Sequence, residues 1–226
     1  MDVVCAKNLK VPKPSAEWMQ KLQACVAGFA GPSDPLTASL YDERWTGRQA
    51  VHCLYSAGLR TIVDLQEADT SRLRPCTWRV LAGGHSSVTN AMGCWASYEG
   101  EGVPAKVMAV LHGPEMADML NSTELLNDMK ELADGGGHPY ELRVFRVPAL
   151  YLEAFWLKSL SAARGDLILP YGLILDGRDR VKLGAGGRLE RNRPYPMAEF
   201  LNHVREAARR RLAADDYAPM APRTRA

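Results

Sequence analysis

Few side chains of this chain stand where reactive chemistry would need them, and Ser86 is the first. It lies in Val80-Leu81-Ala82-Gly83-Gly84-His85-Ser86-Ser87-Val88. A strand running into Gly-x-Ser can expose a nucleophilic hydroxyl on a sharp turn, and the turn wants glycine on both sides. Gly84 supplies the first glycine, whereas the β-branched Val88 occupies the place of the second. Asp176 and His203 follow in the chain order of an acid and a base. A second stretch, Val51-His52-Cys53-Leu54-Tyr55-Ser56-Ala57-Gly58-Leu59-Arg60, has the flavour of a thiolate loop that cradles phosphate. The arginine of such a loop follows the cysteine after five residues. Here six residues separate Cys53 from Arg60, which would misplace the guanidinium.

The remaining chemical candidates are weaker still. Cys94 could pair with His112 or His138, but a chain with five cysteines and five histidines offers many such pairs by chance. No His, Cys, Asp or Glu spacing asks for a metal ion, and no CxxC is present. Gly184-Ala185-Gly186-Gly187 is glycine-rich but lacks a following Gly-Lys-Ser/Thr, so it reads as a surface loop without a phosphate. No cofactor is expected. The Ser86 stretch resembles the nucleophile elbow of the α/β-hydrolases, which makes a small serine hydrolase the alternative reading of function.

Two surface features remain. Residues 177–226 hold 12 Lys and Arg against 6 Asp and Glu, with Arg205, Arg209, Arg210 and Arg211 on one helix and Arg188, Arg191 and Arg193 before it. Glu190, Glu199 and Glu206 interrupt this set, and its polar face has no aromatic side chain for base stacking. A solvated helix is therefore expected, and nucleic acid is not an expected partner. The other feature is Glu153, alone in the most apolar window, VPALYLEAFWLK. As a strand this window puts Tyr151, Glu153 and Phe155 on one face, either as a contact surface or as a sheet edge with one wet face. If buried, the carboxylate would need a partner such as Arg143 or Arg146.

The elements that must position these residues follow from periodicity. Ser15 caps a helix from Ala16 to Ala30, with Trp18, Leu22, Cys25, Val26 and Phe29 on one stripe. A second helix is expected from Arg48 to Ala57, closed by Gly58, and a buried strand over Thr61–Leu65. Thr77–Ala82 and Ser87–Ala96 read as an antiparallel pair turning at Gly83-Gly84, and Lys106–Leu111 as a further strand. Helical signals begin at Pro114-Glu115 and again at Asn121, and Leu125, Leu126, Met129 and Leu132 form an apolar stripe. Glu141–Val147 is strand-like. The window VPALYLEAFWLK then pairs with Asp166–Tyr171 as a hairpin, with Leu150, Leu152, Ala154 and Trp156 on its inner face. Pro194 and Pro196 introduce a last helix whose apolar face is Met197, Phe200, Leu201, Val204, Ala208 and Leu212.

The fold class expected is α+β: a mainly antiparallel sheet built from hairpins with helices packed on one face. Residues 1–75 are expected to pack as a helical and strand segment on a core of 76–213, and 214–226 to form a disordered tail. A hydrophobic share of 46% and a charged share of 24% suit a soluble domain, and no apolar run is long enough for a membrane helix. The start of the chain lacks a secretory signal, so a cytoplasmic setting is expected.

Trp78-Arg79 in a strand, V-P-A-L-Y…W-L followed by D-L-I-L-P-Y, and the late R-P-Y-P-M-A-E-F-L resemble a group of uncharacterised bacterial proteins. The resemblance covers residues 75–213. It implies a soluble bacterial α+β domain and carries no activity with it. The expected function is therefore that of a non-enzymatic protein-binding or accessory module, with a protein as its partner.

Overall fold

A computed structural model describes residues 8–30, 48–83, 91–99, 104–121, 138–161, 164–173, 189–190 and 193–217. Its centre is a nine-stranded sheet in the order β5-β4-β3-β2-β6-β7-β8-β9, with the short β1 (Leu9–Lys10) beside β6. β2 (Arg48–Ser56), β3 (Pro75–Gly83), β4 (Ala91–Ser97) and β5 (Val107–Gly113) form one antiparallel meander. β6 (Tyr140–Val147), β7 (Leu152–Ser159), β8 (Leu167–Leu173) and β9 (Tyr195–Pro196) form a second. The two meanders leave in opposite directions from a parallel seam, where Leu54 lies opposite Val144 and Tyr55 opposite Phe145. The α+β class and its mainly antiparallel sheet thus match the expectation.

Among the described residues four α-helices flank the sheet: α1 (Ala16–Ala30), α2 (Leu59–Asp64), a segment helical over 114–121 (α3), and α4 (Met197–Tyr217). Ser15 Oγ accepts the Trp18 amide at 3.2 Å, the cap its sequence position promised. Trp18, Leu22 and Val26 of α1, Ile62 of α2, and Phe200, Leu201 and Val204 of α4 share one core with Trp78, Phe145 and Trp156 of the sheet. Met116, Ala117, Met119 and Leu120 of α3 pack into a core on the opposite face, with Leu81, Val144, Phe155 and Tyr171. Gly93 makes room for α3, because a Cβ there would sit 2.7 Å from Met116 Sδ.

Two expected elements are exchanged. Residues 48–56 form a strand instead of a helix, because Cys53 and Tyr55 enter one core while Ala50 and Leu54 enter the other. A strand buried on both faces loses the polar alternation that would mark it. Residues 59–64 form a helix instead of a strand. Gly58 sits at its N-terminus, and Ile62 is buried among α4 and the sheet. β2 lies between β3 and β6, so the segment before residue 75 is part of the sheet itself. The last helix runs to Tyr217, beyond the expected start of the tail, and 218–226 lie outside the described residues. The expected cap at Asn121, the stripe 125–132 and the loop 184–188 fall largely or wholly outside them as well.

Candidate functional site

The densest set of polar side chains lies inside the sheet. Arg79 on β3 is wholly buried, and its Nη1 donates to Glu153 Oε2 on β7 at 2.6 Å. Its Nη2 donates to the Tyr171 hydroxyl on β8 at 2.5 Å, and that hydroxyl donates onward to Glu153 Oε2 at 2.9 Å. A bulge builds this triangle. Consecutive residues Glu153 and Ala154 face Gly172 and Pro170, leaving Tyr171 as the extra residue aimed at the carboxylate. Arg146 Nε approaches the other carboxylate oxygen at 3.5 Å. His52 Nδ1 lies 3.4 Å from Arg79 Nη2, and Phe155 stacks on Tyr171 with ring centres 4.1 Å apart.

The electrostatics of this cluster are those of a buried brace. Burial, with Arg79 beside it, pushes the His52 pKa well below its ordinary value, so the imidazole is neutral and accepts from the guanidinium. Burial opposes the charge on Arg79, yet Tyr171 and Glu153 together hold its pKa above the ordinary value. Burial also drives the Tyr171 pKa up, leaving its hydroxyl a donor and not a base. Every oxygen of Glu153 is engaged by a cation, and its side chain is 4% exposed. The expectation of a contact face or a wet sheet edge is thereby corrected. β7 is an internal strand, Glu153 and Phe155 are buried, and Tyr151 stands apart in a left-handed turn at φ 50° with its ring exposed.

The other face carries a second guanidinium. Arg143 lies over the Tyr55 ring at 4.6 Å and the Trp156 ring at 4.7 Å, and its Nε donates to Glu141 at 2.8 Å. Trp156 Nε1 donates to Asp166 at 2.9 Å, and the same carboxylate accepts from Lys158 and from the Ser159 amide. These groups satisfy one another and fix the β7–β8 hairpin on the core.

Among the described residues the expected reactive side chains are not brought together. Ser86 and Asp176 lie outside the described residues. β3, which leads to Ser86, is antiparallel to both β2 and β4, whereas the hydrolase elbow ends a parallel strand and opens a helix. His203 sits on α4 with its ring in a T-shaped arrangement with Tyr195, centroids 6.4 Å apart. Cys53 lies inside β2, and burial pushes its thiol up to about 12, the reverse of what a nucleophilic thiolate needs. Arg60 belongs to the separate helix α2, so no phosphate loop forms. Cys94 is buried and its thiol is likewise pushed up to about 12 by burial. Among the described residues no three His, Cys, Asp or Glu are grouped to hold a metal ion. Arg205 is spent on structure: it donates to Asn202 at 3.2 Å and to the Leu65 carbonyl. Arg193 pairs with Glu190 at 3.1 Å. No helix among the described residues is long and apolar enough to cross a membrane.

An open crevice of about 710 Å³ beside α1 is lined by Ser15, Glu17, Trp18, Lys21 and Glu99. Lys21 pairs there with Glu17 and the Ser15 amide with Glu99, while the buried Trp18 Nε1 has no hydrogen-bond partner among the described residues.

The feature that composition did not announce is β5. Among the described residues it is the outermost strand at one end of the sheet, and its sequence, VMAVLHG, holds no Asp, Glu, Lys, Arg or Pro. Met108 is 59% exposed at a bulge opposite Trp95 and Ala96, and Leu111 is 48% exposed. Gly113, at φ +133°, ends the strand and turns the chain into α3. At the opposite end of the sheet β9 is only two residues long and runs straight into α4. The strand itself was legible in the sequence, but its outer position depends on sheet order, which no local pattern encodes.

No protein-family model, curated protein or solved structure matches the chain.

Proposed function

We propose that this chain is a protein-binding module without a catalytic centre of its own, and that its contact surface is the outer edge of β5. The observation that carries the reading is a seven-residue strand without Asp, Glu, Lys, Arg or Pro at the end of a nine-stranded sheet among the described residues. Edge strands are ordinarily protected by charge, proline or a covering element, because their free amides and carbonyls invite another strand. Here the bulge at Met108 interrupts only the first part, and Ala109–Gly113 continue in regular register with β4. An extended protein segment adding a strand would gain main-chain hydrogen bonds from that edge and apolar contact from Leu111. The bacterial, cytoplasmic setting of this module rests on the resemblance and the composition alone.

The test is binding of the purified chain to an array of extended peptides, followed by amide hydrogen exchange. Binding that protects amides of 109–113 and is lost in Leu111→Lys is the expected result. Binding that persists in this variant, with β5 exchanging as in the free chain, would sink the proposal.

A further inference from the structure

We infer that the strand seated on β5 is β5 of a second copy of this chain, joined antiparallel about a two-fold axis near Val110 and Leu111. This inference rests on the reading of β5 as the contact edge and names its occupant. A two-fold interface must be complementary to itself, since each patch meets its own image. β5 meets that condition in two ways. None of its seven residues is Asp, Glu, Lys or Arg, so no fixed like charges oppose one another when the strand meets its copy. Its flanks carry opposite charges: exposed Lys106 just before the strand and exposed Glu115 just after it. Neither makes an ion pair among the described residues.

The direction of pairing follows from those flanks. Antiparallel pairing centred on Val110 or Leu111 brings Lys106 of each copy to the end of the other's strand, where α3 begins with Glu115, once at each end. Parallel pairing would bring Lys106 to Lys106 and Glu115 to Glu115, which repels at both ends. Helices hold the strand in place for this. α1 lies on one side of β5, and α3 begins directly after it and packs its Met116 against Gly93 of β4. In the resulting pair one sheet runs through both copies, and Met108 and Leu111 lose their exposure.

Sedimentation of the full chain from low to high micromolar concentration tests this. The expected result is a mass that doubles with concentration, together with amides of 109–113 that become protected in step. Leu111→Lys should leave the chain monomeric, and because Leu111 is half exposed its circular dichroism should be unchanged. Lys106→Glu and Glu115→Lys should each weaken the dimer by about threefold to tenfold, and the two together should restore it. A dimer that ignores Leu111→Lys and the charge reversals would overturn the inference, since another surface would then hold it. A chain that stays monomeric throughout would overturn it too. If that monomer still bound extended peptides in a Leu111-dependent way, the proposed function would survive with a different partner.

Discussion

Two guanidiniums sit on opposite faces of one sheet and are used differently. Arg79 is wholly buried and is answered by a carboxylate, a hydroxyl and a neutral imidazole. Arg143 keeps 17% of its side chain exposed and is answered by two aromatic rings and Glu141. The first is a charge removed from water, which is tolerable only while its counter-charge stays in place. The second keeps part of its hydration and gains from ring faces, so no single partner is indispensable. Removing a partner should therefore unfold one side of the sheet and merely loosen the other.

The sharpest way to break this contrast is Glu153→Ala, which strands Arg79 in the core. It should cost about 3–5 kcal/mol in denaturant unfolding, against about 1 kcal/mol or less for Glu141→Ala. Equal losses would mean that the two clusters are not different in kind. Replacing Arg79 and Glu153 together with Met and Leu should recover most of the loss, as an apolar pair leaves no orphan charge.

Tyr171→Phe probes the third corner of the triangle and should cost about 1–3 kcal/mol, because Arg79 and Glu153 each lose a buried partner. A negligible change would show that the bulge places this hydroxyl without using it.

The same face should respond to pH through His52. Its folded pKa lies below the unfolded value, so below about pH 6.5 the unfolded chain binds the extra proton. Stability from this group is complete above that point and falls as pH drops, by up to about 1.4 kcal/mol per unit. His52→Gln should flatten that slope between about pH 6.5 and 5.5, measured by denaturant titration at each pH. An unchanged slope would remove His52 from the account.

The smallest effect expected is for Arg143→Lys, which keeps the charge but loses the planar fork over Tyr55 and Trp156. A loss of about 0.5–1 kcal/mol fits a partly hydrated cation–π contact. A loss as large as that of Glu153→Ala would erase the distinction between the faces.

The sequence pattern reached some of this and missed the rest for identifiable reasons. Ser15 and the stripe Trp18, Leu22, Val26 located α1, because capping and helical spacing are local. Leu152, Ala154 and Trp156 were correctly placed on one core face, since strand alternation is local as well. Glu153 was expected to need a cation if buried, and Arg143 or Arg146 was named for it; Arg146 approaches it at 3.5 Å, whereas Arg143 lies on the other face. The principal partner, Arg79, lies 74 residues away and meets it by a contact that only strand order creates. β2 was misread because two buried faces hide a strand's period. The outer position of β5 among the described strands was invisible for the reason that hid Arg79: both are properties of the order in which strands lie, not of any window of sequence.

The parallel seam between β2 and β6 has a kinetic consequence. Each meander can form from near neighbours, but Leu54 and Val144 are about 90 residues apart in the chain when they meet. Closing a loop of that length costs about 4 kcal/mol of chain entropy before any seam contact is made. The halves should therefore assemble early and join late, and β2 and β6 should be the strands whose mutations slow folding most.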